Sequence, residues 1–332
     1  MGTGSSVQPI AVIVLGYNRF DETTDRCIAS LAQDPDFRSW DVLMVDNGSD
    51  ADNRRAAEQA AARYRGLRLV CIEPNAGFPG GMNVALRNSR GDPLILISND
   101  VLVPPGTIGR LAASFQTHPL AGLVGPVTNA AGNEQCIYVD QGLTPAETLL
   151  RGRLFADAAA DGHFAAHRLD FCCVGLRRRV YESIGGFDEA FNPGYYEDFD
   201  YSLRARKAGF EVLVAENAFV YHEGGGTFGR ISKEKKALLA RNKRRLIEKH
   251  GRATLLPHLR DGNLAVLEQY AEQAAGGEPP PVYRVANRLK FAGTQFPRSL
   301  FKRWKYRRRL ASLERRLLPF AATAAHAMND KV

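Results

Sequence analysis

Short, continuous apolar runs recur along the first 125 residues, at 10–15, 41–45, 67–72, 93–98 and 120–124, separated by amphipathic stretches rich in Ala and Arg. Runs such as IAVIVL and LILIS do not alternate with polar residues, which is the pattern of strands covered on both faces. Strands spaced by segments of helical length predict βαβ units and a mostly parallel sheet in an α/β fold. From 130 to 168 there is no clean period, and a loop with short helices is expected. An apolar strand follows, then RRRVYESIGGF predicts a helix closed by Gly185 and Gly186, and YYEDFDYSLRARKAG a helix opened by acids and ended by Gly209. Two short strands are expected at 211–215 and 218–221. Beyond Gly229 the pattern changes to long Lys/Arg-rich helical segments broken by GGEPPP at 276–281, so a boundary is placed near residue 230, before a helical, basic extension over 231–332.

The composition narrows the class. In 332 residues, 45% hydrophobic and 24% charged, 31 Gly and 17 Pro are spread along the chain rather than pooled, which excludes collagenous, mucin-like and disordered proteins. The length allows about two domains. No apolar run approaches the roughly 20 residues of a spanning helix, and no basic region precedes the first one, so neither a spanning segment nor secretion is expected. Five cysteines, an odd number without C-x-x-C spacing, imply neither a disulfide framework nor a zinc knuckle and fit reduced thiols in a cytoplasmic protein.

Ligands of open α/β sheets bind beyond the carboxyl ends of the strands, and here those ends share a polar signature. They run into Gly16-Tyr17-Asn18-Arg19, Asp46-Asn47-Gly48-Ser49-Asp50, Glu73-Pro74-Asn75-Ala76-Gly77 and Ser98-Asn99-Asp100. Any one of these reads equally as a turn and helix cap; four on one edge predict a ligand cleft. The absence of G-x-G-x-x-G after the first strand and of G-x-x-x-x-G-K-[ST] anywhere disfavours dinucleotide and P-loop sites. Gly77, Gly80 and Gly81 open a helix, either to let backbone approach an anion or to let the helix pack tightly on the sheet. The polar stretch 125–135 either lines a ligand or is a loop rich in caps. Glu197, Asp198 and Asp200 begin a helix, where acids are favoured by the macrodipole and Asp200 can pair with Arg204; the same acids suit proton abstraction from a hydroxyl nucleophile.

VIVLGYNR, VDNGSD, NAGFPGGMN, LISND, GGFDEAFNPGYYEDFDYSLRARKAGF and VYHEGGGTFG, in this order over about residues 9–230, resemble the family 2 inverting glycosyltransferases of the GT-A fold, most of all the rhamnosyltransferase-like enzymes of bacterial surface polysaccharide synthesis. The resemblance implies a catalytic domain over 1–230, with a nucleotide-sugar half at about 9–125 and an acceptor half at about 126–230. It implies a dTDP- or UDP-sugar donor held by Tyr17, Asn18 and Asp46, with Asn75, Gly81, Asn83, Asn99 and Asp100 along it. Asp100 occupies the last position of the D-x-D metal motif, whose first Asp is here Ser98, and His222 would complete a Mg²⁺ or Mn²⁺ site. Asp198 would be the base and Glu197 an acceptor partner. The acceptor implied is a glycan or lipid-linked glycan. Because Ser98 departs from the motif, a catalytically silent nucleotide-sugar or polysaccharide-binding protein on the same fold is the alternative.

The net charge of +8 is concentrated late in the chain: residues 284–316 hold 12 Lys/Arg against Glu314 alone, interleaved with Leu289, Phe291, Phe296, Leu300, Phe301, Trp304, Leu310, Leu313, Leu317 and Leu318. This composition suits an anionic membrane surface over 284–318, on the inner face of the cell membrane, or a helix packed on the catalytic domain with solvated arginines. Nucleic acid is not expected as a partner.

Overall fold

The computed structural model describes residues 8–224, 233–252, 258–278 and 280–328, with side chains as far as Pro319. The first part alternates β1 (Ala11–Gly16), α1 (Asp25–Leu31), β2 (Asp41–Asn47), α2 (Ala51–Arg63), β3 (Leu67–Ile72), α3 (Gly77–Asn88), β4 (Leu94–Ser98), β5 (Val101–Leu102), α4 (Thr107–Thr117) and β6 (Ala121–Thr128). There follow α5 (Pro145–Ala156), β7 (His163–Ala165), β8 (Cys173–Leu176), α6 (Arg178–Ile184), α7 (Glu197–Lys207) and β9 (Glu211–His222). Four helices close the described chain: α8 (Lys233–His250), α9 (Leu259–Ala275), α10 (Val282–Thr294) and α11 (Leu300–Met328). Among the described residues no helix is long and apolar enough to cross a membrane.

The strands lie in the order β3-β2-β1-β4-β8-β6-β9-β5, with β7 also on β9. β1 to β4 are parallel, β8 is antiparallel between β4 and β6, and β9 runs parallel to β6. Both faces are covered, as the unbroken apolar runs require: Ala11, Ile13 and Leu15 enter one apolar cluster while Val12 and Val14 enter the other.

Two expectations need correction. Residues 130–168 contain a full helix, α5, whose start carries a capping box between Thr144 and Glu147 with Pro145 at its first position, and a strand, β7. The signal was the T-P-A-E tetrapeptide. The strands expected at 211–215 and 218–221 are one strand, β9, whose register against β6 slips between Ala215 and Phe219. Polar residues in the slip broke the apolar run without ending the strand. The boundary placed near residue 230 lies outside the described residues.

The slip puts Glu216 into the interior, where Arg288 Nη2 donates to Oε1 at 2.9 Å and the Tyr270 hydroxyl to Oε2 at 2.5 Å. Arg284 lies 4.0 Å away and donates to the carbonyls of Phe155, Ala156 and Asp161. Of the arginines expected to be solvated, these two are therefore core residues. Around them Leu264, Leu267, Val285, Leu313 and Leu317 join the apolar cluster that covers β1 and β4. Part of the expected apolar stripe, Leu310, Leu313 and Leu317, packs inward, while Leu300, Phe301, Trp304 and Leu318 remain exposed.

Removing one partner of a buried ion pair strands the other, at a cost of about 3–5 kcal/mol. Arg288→Ala should therefore lower the melting temperature by several degrees, whereas Lys290→Ala, which loses an exposed pair with Asp140, should change stability by less than about 1 kcal/mol. Thermal denaturation of the two variants checks this, and equal melts would contradict it.

Candidate active site

The register gathers the polar strand ends. Gly16 pairs with Asp46, Asp46 with Cys71 and Leu15 with Ser98, so the segments after β1, β2, β3 and β4 emerge side by side. Because β8 runs the other way, the residues preceding it arrive at the same edge, and the Ser98 N–H donates to the Cys172 carbonyl at 2.8 Å. β6 and β9 also end there. The Asn18 N–H donates to Ser49 Oγ at 2.8 Å, and Asn18 Oδ1 accepts from the Asp50 N–H at 3.0 Å, which ties the first two loops together. Gly48, with φ +78°, lies against the Asn75 backbone, where a Cβ would stand 2.5 Å from the Asn75 nitrogen.

Tyr17 is exposed on this edge and Asp46 is buried beneath it, with Arg54 Nε 3.5 Å from its carboxylate. Asn75 accepts the Gly77 N–H at 2.7 Å. Three other residues expected along the donor have interior partners. Asn99 donates to the hydroxyls of Thr23 and Thr24, and Asn83 is buried and exchanges hydrogen bonds with the Phe187 backbone. Gly81 lets α3 close on Leu15 and Asn47, the tight helix–sheet packing that was one of its two readings.

Asp100 and His222 meet through a two-residue ladder, Val101 opposite His222, which sets His222 Nε2 3.4 Å from Asp100 Oδ2. The ring is fixed at its other nitrogen, since Nδ1 is 2.8 Å from the Ala130 carbonyl, and at its backbone by a reciprocal pair of bonds with the Asn129 amide. Without a proton on Nε2, the imidazole would set a lone pair beside a hard carboxylate oxygen, a donor set that fits Mg²⁺ or Mn²⁺. Burial works to raise the Asp100 pKa, but the facing His222 overrides it and holds the carboxyl below its ordinary range. A cation held here would displace a proton from His222, whose pKa burial lowers but Cys172 and Asp100 raise to about 12. A second group, His118, Asp161 and His163, brings three ligand-type atoms within 4.8 Å of one another, but His163 pairs with Ala215, seven residues or roughly 20 Å along β9 from His222. It is not part of this site.

The three acids at the start of α7 have separate tasks. Asp200 is fully buried and bound to Arg204, Lys249 and His250, so it is structural. Glu197 and Asp198 face the edge. They follow Tyr195 and Tyr196, both in the left-handed region at φ +71° and +74° and braced by Asn242, whose amide donates to the carbonyls of Phe191, Gly194 and Tyr195. Such strain is held only where the surroundings over-determine it. Burial pushes the Asp198 carboxyl up to about 6, with Arg168 pulling down and Asp170 pushing up. Its side chain is 18% exposed and 3.7 Å from Arg168 Nη1. Burial, with Asp198 and Asp170, drives the Glu197 carboxyl well above its ordinary range, and its Oε2 is buried without a hydrogen-bond partner.

Arg168 and Asp170 were not singled out from the sequence. Asp170 precedes a strand instead of following one, and only the reversed direction of β8 brings it to the edge. The polar stretch 125–135 braces the neighbouring residues: Gln135 Oε1 accepts the Asp170 N–H at 2.6 Å, the Gly132 carbonyl accepts Arg168, and Asn129 and Ala130 hold His222.

The profile of the family described as "Glycosyltransferase like family 2" matches residues 8–247. An N-acetylglucosaminyl-diphospho-decaprenol L-rhamnosyltransferase of Mycobacterium tuberculosis is 28% identical over 234 residues, 62% of this chain and 73% of that protein. The O-antigen biosynthesis protein RfbC of Myxococcus xanthus is 27% identical over 227 residues, 65% of this chain but 17% of that protein. Among solved structures, GalNAc-T7 with UDP, GalNAc and Mn²⁺ superposes with a TM-score of 0.55 at 15% identity, covering 83% of this chain and 59% of that one. With its mixed, mostly parallel sheet and a family match over residues 8–247, the chain belongs to the family 2 glycosyltransferases and has the GT-A fold.

Proposed function

We propose that this protein is an inverting transferase that moves a sugar from a pyrimidine-nucleotide diphosphate donor, dTDP- or UDP-linked, to a hydroxyl of a glycan or lipid-linked glycan acceptor. The observation that carries the reading is the pair of adjacent carboxyls at the start of α7: Asp198, partly exposed and 3.7 Å from Arg168, beside Glu197, which is buried with one oxygen unpartnered. The rhamnosyl and diphospho-decaprenol specificity of the mycobacterial relative supports rhamnose as the sugar and a lipid-linked acceptor.

In this reading residues 9–125 bind the nucleotide and 126–230 present the acceptor. The Asp46 carboxylate accepts the ring N–H of the pyrimidine, an acceptor matched to that donor in a partly dry cleft. Asp198 takes the proton of the acceptor hydroxyl as its oxygen attacks the anomeric carbon opposite the diphosphate. The carbon–oxygen bond to the diphosphate breaks and the configuration inverts. Glu197, with an unpartnered oxygen, hydrogen-bonds the acceptor and orients it. Asp100 and His222 would hold the divalent cation, which when bound neutralises charge on the departing diphosphate.

Asp198→Asn should lower the transfer rate by at least about a hundredfold while donor affinity stays within about threefold, since the lost carboxylate acts on the acceptor; a fall below tenfold would contradict its role. The base must be ionised, so the rate should rise with pH through about 6 and then level off. Arg168→Gln should displace this limb to higher pH, because the guanidinium favours the charged carboxylate; an unmoved limb assigns the titration elsewhere.

Chelation with EDTA should suppress transfer, and Asp100→Ala should weaken donor binding measured by calorimetry. Full activity after exhaustive chelation would overturn the metal assignment. Donor binding without turnover across a panel of UDP-, dTDP- and GDP-sugars would instead favour a silent binding protein, the reading that Ser98 motivates.

A further inference from the structure

α11 has two unlike faces. One buries Tyr306, Leu310, Leu313 and Leu317 against α9 and α10, with the Tyr306 hydroxyl donating to the Ala292 carbonyl at 3.0 Å. The other, at spacings of three, four and seven, presents Leu300, Trp304, Arg308, Arg315 and Leu318, with Phe301 alongside. Leu300 is 83% exposed, Phe301 63% and Trp304 52%, a concentration of large apolar surface at one end of a single helix. The two rings stack at 6.5 Å, Lys305 lies over Phe301 and Arg308 over Trp304. Cations and apolar groups thus share one outward face. At its base opens a cavity of about 560 Å³ whose lining holds Arg260, Arg298 and Lys302 and no acid.

We propose that the first turns of α11 and this basic cavity form a docking surface for an anionic phospholipid bilayer. Leu300, Phe301 and Trp304 enter the boundary between headgroups and acyl chains, and the cavity takes a headgroup phosphate. Aromatic and aliphatic residues beside Lys and Arg match such an interface in depth as well as in charge. The place of the cavity also fits. Arg260 adjoins Asp261 and Gly262 in the first turn of α9, which with Glu134, His167 and Arg168 line a second, smaller cavity, and Arg168 contacts Asp198. The surface is therefore on the side of the candidate base. The inference goes beyond the transfer reading and does not depend on it.

The full-length chain should sediment with vesicles of phosphatidylglycerol and phosphatidylcholine at about 0.15 M salt and not with phosphatidylcholine alone, and binding should fall as salt rises. The emission of exposed Trp304 should shift to the blue on binding, since the other tryptophan, Trp40, is already buried. A Phe301→Ser, Trp304→Ser double variant should bind at least about tenfold less, and so should Arg298→Glu, Lys302→Glu, both with unchanged melting temperatures. Failure of the intact protein to bind anionic vesicles, equal binding of either variant, or equal binding to neutral vesicles would overturn the proposal. So would a concentration-dependent dimer, seen by sedimentation and lost in the serine variant, which would assign the face to a second copy of this chain.

Discussion

The carboxylate of Glu216, turned inward where β9 slips against β6, is satisfied by groups that come from elsewhere in the chain, Arg288 of α10 and Tyr270 of α9. Buried charges are costly to desolvate, and the pair adds less to stability than its short distances suggest. Its effect is positional. The same guanidinium donates to the carbonyls of Glu134 and Cys136, so one side chain fixes the helices, the sheet and the loop between β6 and α5. From that loop Gln135 holds the Asp170 backbone and Gly132 holds Arg168, the two residues whose charges oppose each other at Asp198. A chain of polar contacts therefore runs from α10 to the candidate base, without any residue of α10 lining the candidate site.

The site itself depends on splitting like residues between unlike environments. Three acids begin α7 within four residues, yet one is spent on an ion-pair network with α8, one is pushed well above the carboxyl range by burial, and one is pushed up to about 6. Burial is the largest cause at both Glu197 and Asp198; Arg168 draws Asp198 back down, whereas Asp198 adds to the rise at Glu197. On the opposite side of the edge, His222 is oriented by Ala130 and Asn129 and paired with Asp100 by the short β5–β9 ladder. One half of the site is therefore built on the start of a helix and the other on the ladder between two strands.

The helices at the end of the chain combine two tasks that a basic composition does not distinguish. Arg284 and Arg288 are interior, bound to carbonyls and to Glu216, whereas the cations on the outward face of α11 stand beside exposed rings. The long stems of Arg and Lys allow either fate, and the partner that each head group meets decides it.

The sequence by itself determined the layering. Unbroken apolar runs specified strands buried on both faces, helix-length spacers specified parallel order, and both follow from local periodicity and burial. It also marked the edge, because Asp46, Asn75, Asp100 and their neighbours directly follow the runs, and the ordered motifs carried the family. Tertiary structure alone decided the rest. The antiparallel course of β8, which brings Arg168 and Asp170 to the site, leaves no trace in periodicity, since strand direction is not a local property. The continuity of β9 through its polar slip was hidden because Glu216 and Asn217 are tolerated there only by partners more than 50 residues away. Likewise the interior duties of Asn83 and Asn99, and the raised pKa values of Glu197 and Asp198, arise from burial and from groups that meet only after folding.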